Sequence, residues 1–182
     1  PHSANNTSTI IVKILKKLKD IKFDKDTKDF QPTNLEVTKI NINNTADNII
    51  PSTAEATFNI RFNNKHSSST IKKRLNKILI KISKKNKSKF KIYYRVSGEA
   101  FLTKPNKTTF MIQDVIKKVT KIKPKLSTTG GTSDLRFIKS ISPGLEFGLV
   151  GKTMHKIDEA VSLKDLKNLT IIYSNILKNY FK

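Results

Sequence analysis

No cysteine occurs in the 182-residue chain. Disulfides and thiolate metal ligands are therefore excluded, and any bound metal must be held by histidine and carboxylates or by groups on another segment. Histidine is itself scarce, with three residues. No apolar run approaches the length of a membrane span and no signal-peptide pattern is present, so a cytoplasmic location is expected. Arginine is confined to Arg61, Arg74, Arg95 and Arg136. Acidic residues are few, 14 against 36 lysines and arginines, which leaves a formal charge of +22. Such a balance invites a nucleic-acid reading. The lysines, however, are spread along the whole chain without an aromatic-interleaved stripe or a recognisable nucleic-acid motif. A solvated lysine-rich surface with weak non-specific binding at low salt is the better reading, and no specific nucleic-acid or membrane partner is expected. An initiating methionine is also missing. Pro1 stands first, from which we expect a piece of a longer chain.

What is present divides into two halves. In the first, Ile10, Ile11, Ile14, Leu15, Leu18 and Ile21 recur at helical spacing, with Thr7 or Ser8 as cap. Leu35 and Val37 alternate with polar residues in a strand running to about Ile40, and Ala56, Phe58, Ile60 and Phe62 share one face of a second strand, 55–62. A helix over 70–84 carries Ile71, Leu75, Ile78, Leu79 and Ile82. Phe90, Ile92 and Tyr94 alternate in a third strand. This order predicts a small α+β domain with helices on one face of an antiparallel sheet. Gly98 and Pro105 mark a boundary, giving domains 1–98 and 99–182. The second half reads as helix 108–120, a short strand 125–128, a Gly-Gly turn, helix 133–140, strand 145–150 and helix 163–181. That is α/β layering with too few strands for a complete sheet.

The richest stretch runs from Leu126 to Glu159. Gly130 and Gly131 allow positive φ and close approach of a ligand. Thr132 and Ser133 add hydroxyls beside the exposed amides, and Ser133 or Asp134 can cap the next helix. A turn of this kind suits a carboxylate. The strand that follows delivers Gly151 to His155 at its C-terminal end, where α/β proteins place ligands. Asp158 and Glu159 either orient the His155 ring or are solvated acids. His2 and His66 are weaker candidates, and His66, in a serine-rich turn, is expected to be exposed. Arg61 stands where a lysine-favouring chain could have used lysine. Its planar fork grips a carboxylate with two hydrogen bonds, or simply pairs with a local acid at a strand edge.

Several motifs carry a resemblance. TGGTSDLRF (129–137) followed by EFGLVGKTMHKIDE (146–159), FQPTNLEVTKI (30–40), DNIIPSTAEATFNIRFN (47–63) and SGEAFLT (97–103) are similar, in the same order and at similar spacing, to the succinyl-diaminopimelate desuccinylase family. That family lies within the dinuclear zinc aminoacylase and carboxypeptidase superfamily. The resemblance covers essentially the whole chain. It implies that 1–98 is a dimerisation or lid domain whose start is missing, pairing two subunits as a homodimer. Residues 99–182 would be the C-terminal part of an α/β zinc-hydrolase catalytic domain. The implied activity is metal-dependent hydrolysis of N-succinyl-LL-2,6-diaminopimelate to succinate and LL-2,6-diaminopimelate, in bacterial lysine and diaminopimelate biosynthesis.

By the same resemblance, His155 is a terminal ligand of one of two divalent metal ions, zinc or cobalt. Arg61 holds a substrate carboxylate, Asn48 reaches across the dimer, and Ser97, Gly131 and Thr132 line the substrate pocket. Asp47 and Gly151 depart from the side-chain amides usual at those positions. The family's other metal ligands and its general-base glutamate have no counterpart here. No catalytic residue is therefore expected in this chain, which should be inactive alone. Other readings are another deacylase of the superfamily, an acetylornithine deacetylase or aminoacylase, or a non-catalytic basic module that dimerises or binds nucleic acid.

Overall fold

The computed structural model describes residues 5–130 and 133–182, in two compact units, Pro1–Phe101 and Leu102–Lys182. In the first unit the order is α1 (Thr7–Lys19), β1 (Asn34–Asn41), β2 (Glu55–Arg61) and α2 (Ser68–Lys85). The strands pair antiparallel, with Leu35 opposite Ile60 and Val37 opposite Phe58. Those four side chains pack with Leu18 of α1, Ile71 and Leu75 of α2, and Phe23. Both helices therefore bury their apolar stripes on one face of the hairpin, as the spacing predicts. The ladder is irregular between Val37 and Lys39, where Thr38 has no residue opposite it in register and its hydroxyl donates to the Thr57 carbonyl at 3.3 Å, an extra residue of the kind that makes a bulge.

The cap of α1 falls earlier than expected. Asn6 accepts from the amides of Ser8 at 2.9 Å and Thr9 at 3.3 Å. The Thr7 hydroxyl is instead spent on the Pro51 carbonyl at 2.6 Å. Asn is among the best N-caps because its side-chain oxygen reaches these orphan amides without strain. Ser67 caps α2 in a reciprocal capping box with Thr70.

The expected third strand does not form. Phe90, Ile92 and Tyr94 are half-buried and their neighbours exposed, so the alternation is real. A strand also needs a backbone ladder, and among the described residues the sheet has two strands only. Tyr94 packs against the core beneath the Lys72 ammonium, 5.4 Å from its ring centroid. Burial raises the Tyr94 phenol above its ordinary pKa.

The second unit contains α3 (Lys107–Thr120), α4 (Leu135–Ile138) and α5 (Leu163–Tyr180). Asn106 caps α3 in a box with Thr109, and Ser162 caps α5 through the Asp165 amide. Val115 and Ile116 of α3 meet Ile172 of α5, with Met111, Ile112, Val119, Phe147 and Ile176 around them. The segments 125–128 and 145–150, read as strands, carry no ladder. Phe147 is nonetheless anchored, its carbonyl accepting from the Tyr173 hydroxyl at 2.7 Å. The helix expected over 133–140 shortens to one turn, Leu135–Ile138, and Asp134 makes no side-chain cap bond to its amides.

Candidate functional site

Three of the sequence-predicted substrate residues lie in the first unit, in three separate segments. Arg61 ends β2 with Asn34 opposite it. By strand alternation it is on the face away from the helices, together with Asn59 and Glu36, and it is exposed. Glu36 on that face accepts from Lys19 at 2.8 Å and from Asn34 at 3.1 Å. The Lys19 hydrogen bond, then the Asn34 bond and the Lys19 charge, hold its carboxyl below the usual range.

Asn48 is exposed in the loop between the strands. That loop is braced from within, as its run of asparagines leads one to expect. Asn44 donates from its side-chain amide to the carbonyls of Ala46 at 2.9 Å and Ile49 at 2.6 Å, around the turn that presents Asp47 and Asn48. The signal was available in the asparagine-rich composition of 41–48, since Asn bonds to its own backbone in turns. Ser97 is exposed on the extended segment after Tyr94.

His155 lies in the second unit, exposed, in a loop that is closed on itself. The Thr153 hydroxyl donates to the Ala160 carbonyl at 2.8 Å and accepts from the Ala160 amide at 2.9 Å. Within this clasp His155 and Asp158 both take left-handed backbone, with φ of 63° and 60°. Non-glycine residues rarely adopt that conformation unless the surroundings enforce it, and such positions cluster at functional sites. Glu159 accepts from the His155 backbone amide at 3.3 Å. Of the two readings for the acidic pair, Glu159 thus fixes the main chain beneath the histidine rather than its ring. A side chain at Gly151 would bring its Cβ to 3.3 Å from the Met154 Cβ, so the glycine lets the loop fold closely.

Gly131 and Thr132 lie outside the described residues. Beside them Gly130 takes φ of +158°, which L side chains rarely adopt, and the Ser127 and Thr129 hydroxyls meet at 2.9 Å. Among the described residues no three histidines or carboxylates gather into a group able to hold a metal. His155 offers one donor, which fits a terminal ligand and not a complete site, since zinc takes three or four protein ligands.

His66 corrects an expectation. It is not exposed; its side chain retains 17% of its accessible surface and its Nε2 lies 3.0 Å from Asp24 Oδ2, with Phe23 edge-on to the ring. Asp24 also accepts from the Thr33 amide at 3.1 Å and the Asn63 side-chain amide at 2.8 Å. Burial pushes the Asp24 carboxyl up, but the Thr33 and Asn63 hydrogen bonds and the His66 charge outweigh it and hold the group below its ordinary value. This knot ties the loop after α1 to the loop before α2.

Residues 1–87 match the family of the peptidase dimerisation domain. The fold resembles that of an M20 family metallo-carboxypeptidase from Sulfolobus solfataricus, with a TM-score of 0.67 at 18% identity, covering 97% of this chain and 45% of that one. More particularly, the chain is 78% identical over 181 residues to a succinyl-diaminopimelate desuccinylase of Pelagibacter ubique, covering 100% of this chain and 47% of the relative. Desuccinylases of Rickettsia bellii and Parvibaculum lavamentivorans are 43% and 42% identical, over 97% and 100% of the chain and 45% and 46% of their own lengths. The chain spans about half the length of the curated relatives it matches. The resemblance read from the motifs therefore extends over the whole chain.

Proposed function

We propose that this chain is the dimerisation domain and the following catalytic-domain portion of a succinyl-diaminopimelate desuccinylase. In this reading it acts on N-succinyl-LL-2,6-diaminopimelate within bacterial lysine and diaminopimelate biosynthesis, in the cytoplasm. The observation that carries this is 78% identity from end to end to a protein of that name, with all the motifs in register. Residues 1–98 serve as the lid that pairs two subunits, and 99–182 complete a catalytic domain.

His155 supplies one terminal ligand of a site for two divalent ions, zinc or cobalt, whose remaining donors come from outside this chain. Such ions, when bound, lower the pKa of a coordinated water and polarise an amide carbonyl. The left-handed backbone and the Thr153 clasp support the ligand role, because they set the direction in which the imidazole leaves the chain. Arg61 is suited to a substrate carboxylate: the guanidinium offers a two-bond fork that a lysine ammonium cannot. Asn48, Ser97, Gly131 and Thr132 are assigned to the substrate on the resemblance, with the glycine turn suited to accept an anionic oxygen.

A chimera tests this. The 181 matching residues of the Pelagibacter ubique desuccinylase are replaced by this chain, and the product is assayed with zinc or cobalt on N-succinyl-LL-2,6-diaminopimelate and N-acetylornithine. Hydrolysis of the succinyl substrate is expected. His155→Ala should lower it by more than about 100-fold, beyond the usual loss for a residue that only supports a ligand. Preferred cleavage of N-acetylornithine would overturn the substrate assignment, and a folded chimera inert on both would overturn the hydrolase reading.

A further inference from the structure

The start of α2 is capped within itself and tied to two other parts of its unit. His66 faces Asp24 at 3.0 Å. Ser67 closes the capping box with Thr70. Ser68, the first helical residue, has a backbone amide that no carbonyl within the helix can reach. That amide donates to the Glu99 carboxylate, at 3.0 Å to Oε2 and 3.2 Å to Oε1. Glu99 lies on the segment 97–101, which has no helix or strand of its own and is the last stretch of the first unit before the chain passes into the second. A carboxylate beside a helix N-terminus is favoured by the unsatisfied amides and by the helix dipole.

We propose that Glu99 is a latch fastening the segment 97–101 to the N-terminus of α2, so that the connection between the units leaves the first from a fixed point. Its backbone includes Ser97, two residues before the carboxylate. Where Ser97 lines a substrate pocket, the latch fixes the backbone that carries it. The latch belongs to the first unit and stands whether or not the hydrolase reading holds; only the consequence for Ser97 rests on it. The sequence hides this role, because a single glutamate in SGEAFLT reads as a solvated acid, 31 residues from its partner.

Amide hydrogen exchange of the 182-residue chain, read by mass spectrometry, tests the latch in four variants: Glu99→Ala, Glu99→Gln, Ser68→Pro and the Ser68→Pro/Glu99→Ala double. Proline suits the first helical position, where its missing N–H has no intrahelical use. The extended backbone of Ser67, φ −117° and ψ 163°, is what a residue before proline prefers. Ser68→Pro therefore deletes the donor and keeps the helix.

Exchange across 97–102 should be faster by about three- to tenfold in Glu99→Ala, the range of one charge-assisted bond at a helix end. Ser68→Pro should accelerate it by no more than Glu99→Ala does, the double variant should equal Glu99→Ala, and Glu99→Gln should fall between the unmodified chain and Glu99→Ala. Unchanged exchange in Glu99→Ala would overturn the latch. So would effects of Glu99→Ala and Ser68→Pro that multiply in the double variant, because two halves of one contact cannot be lost twice. If amides of 71–85 also accelerate in Ser68→Pro, Glu99→Ala alone decides.

Discussion

The first unit closes its core; the second does not. In the first, two amphipathic helices cover one face of a hairpin, and Leu18 and Leu75 are each left 1% exposed. In the second, among the described residues, only Val115, Ile116 and Ile172 form a buried cluster, while Ile157, Ile141 and Phe181 stand 94%, 87% and 79% exposed. Both halves have comparable apolar content at helical spacing, so hydrophobicity alone does not distinguish them. The difference is architectural. A hairpin offers two helices a common surface, whereas two helices and unpaired extended segments can bury little more than the seam between them. A unit with so small a buried cluster has little of its own apolar surface covered. This supports the proposal that the second unit completes a larger domain.

The comparison can be broken first at its strongest point. Leu75→Ala should cost the first unit about 3 kcal/mol, the mid-range for a fully buried leucine in a closed core, seen as a lower urea midpoint for the amides of α1, β1 and α2. Ile172→Ala should cost the second unit less, about 2 kcal/mol, because a shallow cluster can collapse onto the gap. Equal losses would remove the distinction. Native-state hydrogen exchange of the unmodified chain should likewise show α3 and α5 opening before α2, since local stability follows buried apolar contact.

Asp24→Asn sharpens the contrast by chemistry. The folded pKa of Asp24 is depressed. Its stabilisation is therefore complete above the unfolded value near ~3.9 and is lost as pH falls through the lower folded value. The substitution should cost the first unit about 1–2 kcal/mol at neutral pH and flatten its stability loss in acid, leaving α3 and α5 unchanged. The smallest effect is expected for Glu36→Gln: the Lys19–Glu36 pair is solvent-exposed on both sides, and such pairs contribute little. Thermal melts of the two chains should superimpose.

The helices and the hairpin were legible because each repeats a period. Ile71, Leu75 and Leu79 recur every four residues, and Phe58 and Ile60 alternate. The Asp24–His66 knot was not, because it joins loops 42 residues apart with no local signature. Nor was the missing third strand. Phe90, Ile92 and Tyr94 display the pattern of a strand, but pairing is decided by which backbone edge is available, which alternation does not encode. At the site, His155 stood out through its motif. The asparagine-rich loop of Asn44 was legible by composition, whereas Thr153, which clasps the His155 loop, was passed over because a lone hydroxyl announces no partner.

The extra residue Thr38 has a consequence for the parity of β1. Before it, odd-numbered residues, Leu35 and Val37, face the helices; after it the even-numbered Ile40 stands opposite Ala56, on the same side as Phe58 and Ile60. Thr38 acts as an inserted letter in a two-letter frame. It turns a strand that would direct Lys39 at the core into one that directs it outward. Deleting Thr38 should therefore leave every cross-strand partner in place, whereas deleting Glu36 would reverse the facing of the strand at its most buried end.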